Sequence, residues 1–259
     1  MEFIDTHCHI HSDDYNLSVA RVLANAESVG VTRLLCVGTD KKDSHLAIEF
    51  AQKHKTCFAS IGIHPHDSKN YMTNGRIDSV LRDDFHKLAI SKKVVAVGEC
   101  GLDYYYQHSP KEDQEVMLRF QIELALTNKL PLIFHVRQAF NDFWKIVDDY
   151  AGLKGVIHSF SDTPDRLEQI LKRGFYVGLN GIMTFSKDED QLTAAKMVPL
   201  ERMVLETDAP FLTPVPYRGK ICEPKHVVET AEFLGRLRNE PLERIAEAST
   251  ANAKQLFNI

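Results

Sequence analysis

Short apolar runs alternate with longer helix-period segments from one end of the chain to the other. No other feature confines the fold so tightly. The strand-like runs are 3–7 (FIDTH), 33–38 (RLLCVG), 57–63 (CFASIGI) and 94–98 (VVAVG), then 130–135 (LPLIFH), 155–158 (GVIH), 175–179 (FYVGL) and 203–207 (MVLET). Each is short and continuous, the pattern of strands covered on both faces. Between them, residues 112–128 place Val116, Phe120, Leu124 and Leu126 near one helical face, with Glu112, Asp113 and Glu115 in the first turn. Thr163-Pro164 before DRLEQILKR, followed by Gly174, reads as an N-cap, an N1 proline and a glycine stop. A closing helix is expected from Pro241 to Phe257. Over 259 residues this predicts an α/β fold, a (β/α)8 TIM barrel forming one domain across 1–259. An open doubly wound sheet has the same alternation, but no G-x-G-x-x-G follows an early strand to support its dinucleotide-binding version.

The charge balance narrows the function. Thirty-one Lys and Arg face 36 Asp and Glu, a net −5. That is a poor surface for wrapping a long duplex, though it leaves room for a local basic mouth. The five cysteines (Cys8, Cys36, Cys57, Cys100, Cys222) are odd in number and never spaced C-x-x-C, against a disulfide framework or zinc ribbon. Met1-Glu2 runs straight into the first strand and no apolar run reaches membrane length. A reduced, soluble, cytoplasmic protein is expected.

Six of the twelve histidines fall at or just past strand ends: His7, His9, His64, His66, His135 and His158. In a parallel barrel those ends open on the face where active sites sit. Residues i and i+2 of a strand point the same way, so His7 and His9 can reach one ion; the other reading of a solitary H-x-H is two polar residues at a strand end, held by backbone hydrogen bonds. Glu99, predicted to end the fourth strand after Gly98, joins His135, His158 and Asp208 at the same mouth. Two cations roughly 3.5–4 Å apart, sharing one carboxylate, could activate a water there and stabilise a displacement. His64, in Gly62-Ile63-His64-Pro65, is either a transition-state donor or a loop anchor. His66 is read as solvated surface, outside the site. Glu206 shares a strand face with Asp208 and either braces a ligand histidine or accepts from substrate. His11, His45, His54, His86, His108 and His226 are expected at the surface or as caps. Cys8, Cys36 and Cys57 are read as core, Cys8 alternating away from the two histidines beside it.

DTHCH (5–9), GIHPH (62–66), VGECGLDYY (97–105), FHVR (134–137), IHSFS (157–161) and LETDAPFLTP (205–214) together resemble the TatD-type metal-dependent deoxyribonucleases of the amidohydrolase superfamily. The resemblance spans residues 5 to about 226. It implies that His7, His9 and Asp208 bind one metal, that His135 and His158 bind a second, and that Glu99 bridges them. It makes Asp208 the general base toward the attacking water and places His64 against the reacting phosphate. It implies hydrolysis of phosphodiester bonds, removing nucleotides from the 3′ end of single-stranded DNA, in some members RNA. Two departures stand out: Gln138 replaces the usual Asp after the arginine, and Ile221-Cys222 replace a polar pair before Glu223-Pro224.

Three loops are long enough to shape the entrance: 64–76, 100–111 and 208–224. Tyr104, in a run of three tyrosines, could stack on a base or simply pack its loop. Arg218, Lys220 and Arg137 are the candidate phosphate contacts. Four histidines favour zinc, manganese, iron or cobalt, whereas the resemblance implies magnesium-supported activity. Two divalent ions per subunit are expected, in a monomer with no obligatory protein partner and no membrane contact. The alternative is a small-molecule ester, lactone or amide hydrolase using the same metals. Against it stand the Arg218/Lys220 loop and Glu99, at a position where many binuclear amidohydrolases carry a carboxylated lysine.

Overall fold

The computed structural model describes residues 1–106 and 108–259. Its strands are β1 (Phe3–Cys8), β2 (Val31–Val37), β3 (Cys57–Ile61), β4 (Met72–Thr73), β5 (Arg76–Ile77), β6 (Val94–Asp103), β7 (Leu132–Arg137), β8 (Gly155–Ile157), β9 (Tyr176–Leu179) and β10 (Met203–Leu205). The helices are α1 (Val19–Ser28), α2 (Lys41–Lys53), α3 (Ser79–Leu88), α4 (Lys111–Asn128), α5 (Phe140–Val147), α6 (Pro164–Lys172), α7 (Glu189–Met197), α8 (Val227–Arg238) and α9 (Leu242–Phe257). One eight-stranded sheet has the order β1-β2-β3-β6-β7-β8-β9-β10, with parallel pairing. This is the expected (β/α)8 fold. No helix among the described residues is long and apolar enough to cross a membrane.

By packing, the chain divides into two compact units, residues 1–36 with 157–259, and residues 37–156. In the first, His9 N donates to Ala209 O at 2.7 Å and Asp208 N to His7 O at 2.8 Å, so the two ends of the strand order meet. Helix α9 latches that junction from outside. Thr250 Oγ1 donates to Glu2 O (2.8 Å), while Asn252 Nδ2 donates to Leu200 O (2.6 Å) and Met203 O (2.8 Å). Helix α6 begins as its sequence predicts, with Thr163 Oγ1 accepting from Arg166 N at 3.5 Å and Pro164 at the first helical position.

In the second unit β6 is longer than expected. The predicted stop at Gly98 is instead a register shift between Val97 and Cys100, after which pairing resumes from Cys100↔Phe134 to Asp103↔Arg137. Gly98 and Gly101 take φ values of 140° and 149°, which a side chain would resist. A short antiparallel hairpin, β4–β5, also overlaps the end of the expected 64–76 loop. Asn74 and Gly75 at its turn have φ of 51° and 71°, the two left-handed residues that a tight hairpin turn requires.

Two burial expectations fail. Leu126 is exposed, because it lies six residues, about 240° of helical rotation, from buried Phe120. Met117, Gln121 and Ala125 fill the inner face of α4 beside Phe120 and Leu124. His11 is buried rather than at the surface, its ring 6.2 Å from that of His9. All five cysteines are buried, Cys8 donating to Leu35 O at 3.5 Å.

Candidate metal-ligand groups

In the unit formed by 1–36 and 157–259, β1 ends by presenting His7 and His9 to the same side. Their Nε2 atoms lie 3.2 Å apart, and Asp208 Oδ1 is 3.7 Å from the first and 3.3 Å from the second. Asp208 is not within a strand but three residues past β10, in the left-handed region at φ 64°. Asp5 sets the approach. Its carboxylate accepts from Thr207 Oγ1 (2.6 Å), Thr207 N (2.9 Å) and His7 N (3.3 Å), tying β1 to the segment that carries Asp208. Burial pushes the Asp5 carboxyl up to about 8. Burial would raise Asp208 too, but the hydrogen bond from His9 and the nearby His158 and His7 hold its carboxyl below the ordinary value.

His158 stacks on His7, ring centroids 3.6 Å apart, and turns Nδ1 to Glu206 Oε1 at 3.0 Å. Glu206 also accepts from Ser159 N at 2.6 Å, so this carboxylate braces the imidazole. The space it occupies exists because residue 178 is glycine: a Cβ there would collide with the Glu206 carboxylate.

In the unit 37–156, His64, Glu99 and His135 form a second convergent group. Glu99 Oε1 lies 2.9 Å from His135 Nδ1 and 3.5 Å from His64 Nε2. The other nitrogen of His135, Nε2, is 3.0 Å from Asp103 Oδ2, which also meets His66 Nε2 at 2.9 Å. Asp103 Oδ1 accepts from the N–H groups of Tyr105 and Tyr106, both at 2.9 Å. Burial opposes ionisation of Asp103, yet these partners, His135 first, hold its carboxyl far below the usual range.

His64 differs from the other ring in one respect. Its Nδ1 accepts a hydrogen bond from His66 N at 3.2 Å, so the proton of the neutral ring sits on Nε2. Burial outweighs the attraction of Glu99 and keeps the imidazole uncharged well below its ordinary pKa. Its geometry is that of a neutral hydrogen-bond donor at Nε2. Two buried glutamines of α4, one heptad apart, fix the backbone here. Gln121 Oε1 accepts from Ile63 N (2.8 Å) while its Nε2 donates to Ile63 O (3.0 Å). Gln114 does the same for Asp103, accepting from its N at 2.8 Å and donating to its O at 3.2 Å.

The expected substrate contacts divide. Tyr104 is tied down, its hydroxyl donating to Glu115 Oε1 at 3.1 Å and Lys111 Nζ lying 4.0 Å over its ring. The exposed rings are Tyr105 and Tyr106, with the Arg137 guanidinium 4.2 Å and 4.8 Å from their centroids. Arg218 lies 3.7 Å over Phe185, outside its loop, and donates to Thr213 O at 3.0 Å, while Lys220 lies 5.4 Å over Tyr217 of its own loop. Gln138 takes a left-handed φ of 53° just beyond β7. Ile221 is exposed and Cys222 buried. Asp103 and His66 are the site residues that sequence reasoning missed. The signal was present, since Asp103 is four residues from Glu99 and shares its strand face.

The donor chemistry fits divalent cations. Two imidazole nitrogens 3.2 Å apart beside a carboxylate oxygen share one proton poorly but can all point lone pairs at one cation. His135 turns both ring nitrogens to carboxylates, Nε2 to Asp103, and His158 turns Nδ1 to Glu206, the arrangement that orients metal-ligating histidines.

A family model described as TatD related DNase matches residues 4–258. The uncharacterized metal-dependent hydrolase YabD of Bacillus subtilis is 35% identical over 257 residues, 98% of each chain. The 3′-5′ ssDNA/RNA exonuclease TatD of Citrobacter rodentium is 33% identical over 248 residues, 92% of this chain and 91% of the relative. The solved structure of YjjV, a TatD homologue from Escherichia coli, superposes with a TM-score of 0.90 at 27% identity, covering 99% of this chain and 98% of that one.

Proposed function

The chain belongs to the TatD-related DNase family and is a metal-dependent hydrolase, and from that premise we propose that it is a 3′-5′ exonuclease acting on single-stranded DNA, and on RNA, as a cytoplasmic monomer. The observation that carries the reading is the convergence of His7, His9 and Asp208 on one point within reach of a single cation. His7, His9 and Asp208 would hold one divalent ion, and Glu99 with His135 another; His158, stacked on His7 and braced by Glu206, is proposed as a further metal ligand. Magnesium is the proposed activating ion, with zinc or manganese able to replace it. When bound, such ions supply Lewis-acid polarisation of the phosphoryl group and acidify the attacking water.

The residues of the chain do the rest. Asp208, ionised because its histidine neighbours outweigh its burial, accepts a proton from the water. His64 donates from Nε2 to a phosphoryl oxygen, neutral throughout and so consuming no proton. Glu206 and Asp103 hold the rings of His158 and His135 in orientation. Tyr105 and Tyr106, backed by Arg137, offer exposed faces to bases, which suits a substrate read without regard to sequence.

The test is a metal-reconstituted assay on 3′-labelled and 5′-labelled single-stranded oligonucleotides, beside an ester and lactone panel and the Asp208→Ala variant. Stepwise shortening from the 3′ end, lost in the variant, is expected. An intact oligonucleotide with ester or lactone turnover would overturn the nuclease reading and make the chain a small-molecule hydrolase.

A further inference from the structure

We propose that a cavity of about 540 Å³ in the unit 37–156 is a phosphate subsite for the substrate strand, with Lys69 and Lys111 as its anion-binding groups. The proposal rests on the nuclease reading above and names a part of the strand other than the scissile bond. Asp103, Ser109, Gln114 and His108 line the cavity with the two lysines. Its volume lies within the range of small-ligand sites.

The walls are built rather than loose. Ser109 is buried, its hydroxyl donating to His66 O at 2.7 Å and accepting from Lys69 N at 3.1 Å. Gln114, also buried, donates to Ser109 O at 3.0 Å as well as clamping Asp103. The acid in this wall is already engaged: Asp103 is shared by His66, His135 and two backbone N–H groups, so its charge is not directed at the lysines. Lys69 and Lys111 form no salt bridge among the described residues. Lys111 rests on the Tyr104 ring, and Asp67 and Asp142 reach the two ammoniums only as more distant charges. Two exposed ammoniums lining one cavity, on a chain of net charge −5, are a place prepared for an anion. Its wall, Asp103, also contacts His135. The anion it takes alongside a nuclease centre is therefore a phosphate of the same strand.

The test is fluorescence anisotropy of a 5′-fluorescein, phosphorothioate-linked pentathymidylate on the metal-reconstituted protein at a series of KCl concentrations. Shortening of the unmodified oligonucleotide is followed in parallel. The double variant Lys69→Gln/Lys111→Gln is expected to bind about tenfold more weakly, with a salt slope shallower by about 0.7, one phosphate contact on a single strand. Lys69→Arg/Lys111→Arg should keep the slope. If the wild type shortens the oligonucleotide but the Gln variant keeps its affinity and slope, the subsite is overturned and the nuclease reading stands. If the wild type neither binds nor shortens it, both fall. Inorganic phosphate shifting the two lysine amines by NMR, with no loss of oligonucleotide affinity in the Gln variant, would make this a free-phosphate site and overturn the strand assignment.

Discussion

Gly101 lies directly across the parallel ladder from His135, and a Cβ at Gly101 would strike the His135 carbonyl. Glu99 and Asp103 sit two residues to either side of that glycine on the same face. The imidazole between them therefore meets one carboxylate with each nitrogen, at 2.9 Å and 3.0 Å. One carboxylate is placed to share an ion with the ring and the other to orient it.

Asp103→Ala should weaken divalent-metal binding by about 10–100-fold while the chain stays folded, because it removes the orienting partner and no ligand. Isothermal titration of the metal-free protein reads this directly. Unchanged affinity would show that His135 holds its orientation without the acid.

The two candidate roles of His64 predict different outcomes. As an Nε2 donor, His64→Gln keeps a side-chain N–H and should retain more turnover than His64→Ala, which should lose about 10²–10³ in kcat. Both variants should carry the wild-type metal content, measured by atomic emission. A missing equivalent of metal in His64→Ala would make His64 a ligand instead.

Gly178→Ala places a methyl where the Glu206 carboxylate lies. The buried acid must swing away from Ser159 N and His158, so metal affinity and kcat should each fall by more than about tenfold. Melting should move by only a few degrees, since the displaced group is the end of a side chain rather than backbone. A large loss of melting temperature with intact metal binding would count against this account.

Gln121→Leu keeps the volume in α4 but deprives both polar backbone groups of Ile63 of their partner. A cost of about 2–4 kcal/mol is expected in urea unfolding, from two buried groups left unsatisfied. Turnover should fall as well, since Ile63 immediately precedes His64. A cost under about 1 kcal/mol would mean that water replaces the amide.

Burial, with Lys225 beside it, holds the His226 imidazole down to about 4, while Nδ1 accepts from Glu223 N at 3.0 Å. The unfolded chain takes up this proton near pH 6.5, before the folded one does. The contribution is therefore complete above about pH 6.5 and is lost as the pH falls through about 4, on the order of 2 kcal/mol in all. Denaturant melts of metal-free protein across that window should be flatter for His226→Gln than for wild type. Identical pH dependence would refute the assignment.

The sequence by itself determined the strand and helix alternation, and with it the (β/α)8 class. Both follow from local periodicity: continuous β-branched runs, an N-cap and N1 proline at α6, an amphipathic face on α4. It also singled out His7, His9, Glu99, His135, His158 and Asp208, because acids and histidines at expected strand ends are candidate ligands in a fold of this class. The β4–β5 hairpin and its Asn74-Gly75 turn were not read from the sequence, which placed only a loop over 64–76.

Only the tertiary structure decided how those groups are supported. Which nitrogen of an imidazole faces a carboxylate depends on distances across strands that no spacing encodes, as with His66 meeting Asp103 at 2.9 Å. Which tyrosine is exposed was settled by α4, whose Glu115 and Lys111 take up Tyr104 and leave Tyr105 and Tyr106 outside. Arg218 and Lys220 were legible as charges, but the rings of Phe185 and Tyr217 beneath them are partners 33 and 3 residues away along the chain. Periodicity records which face of an element is apolar. Partner, tautomer and exposure are set by what packs against that face, and that is fixed only when the whole chain has folded.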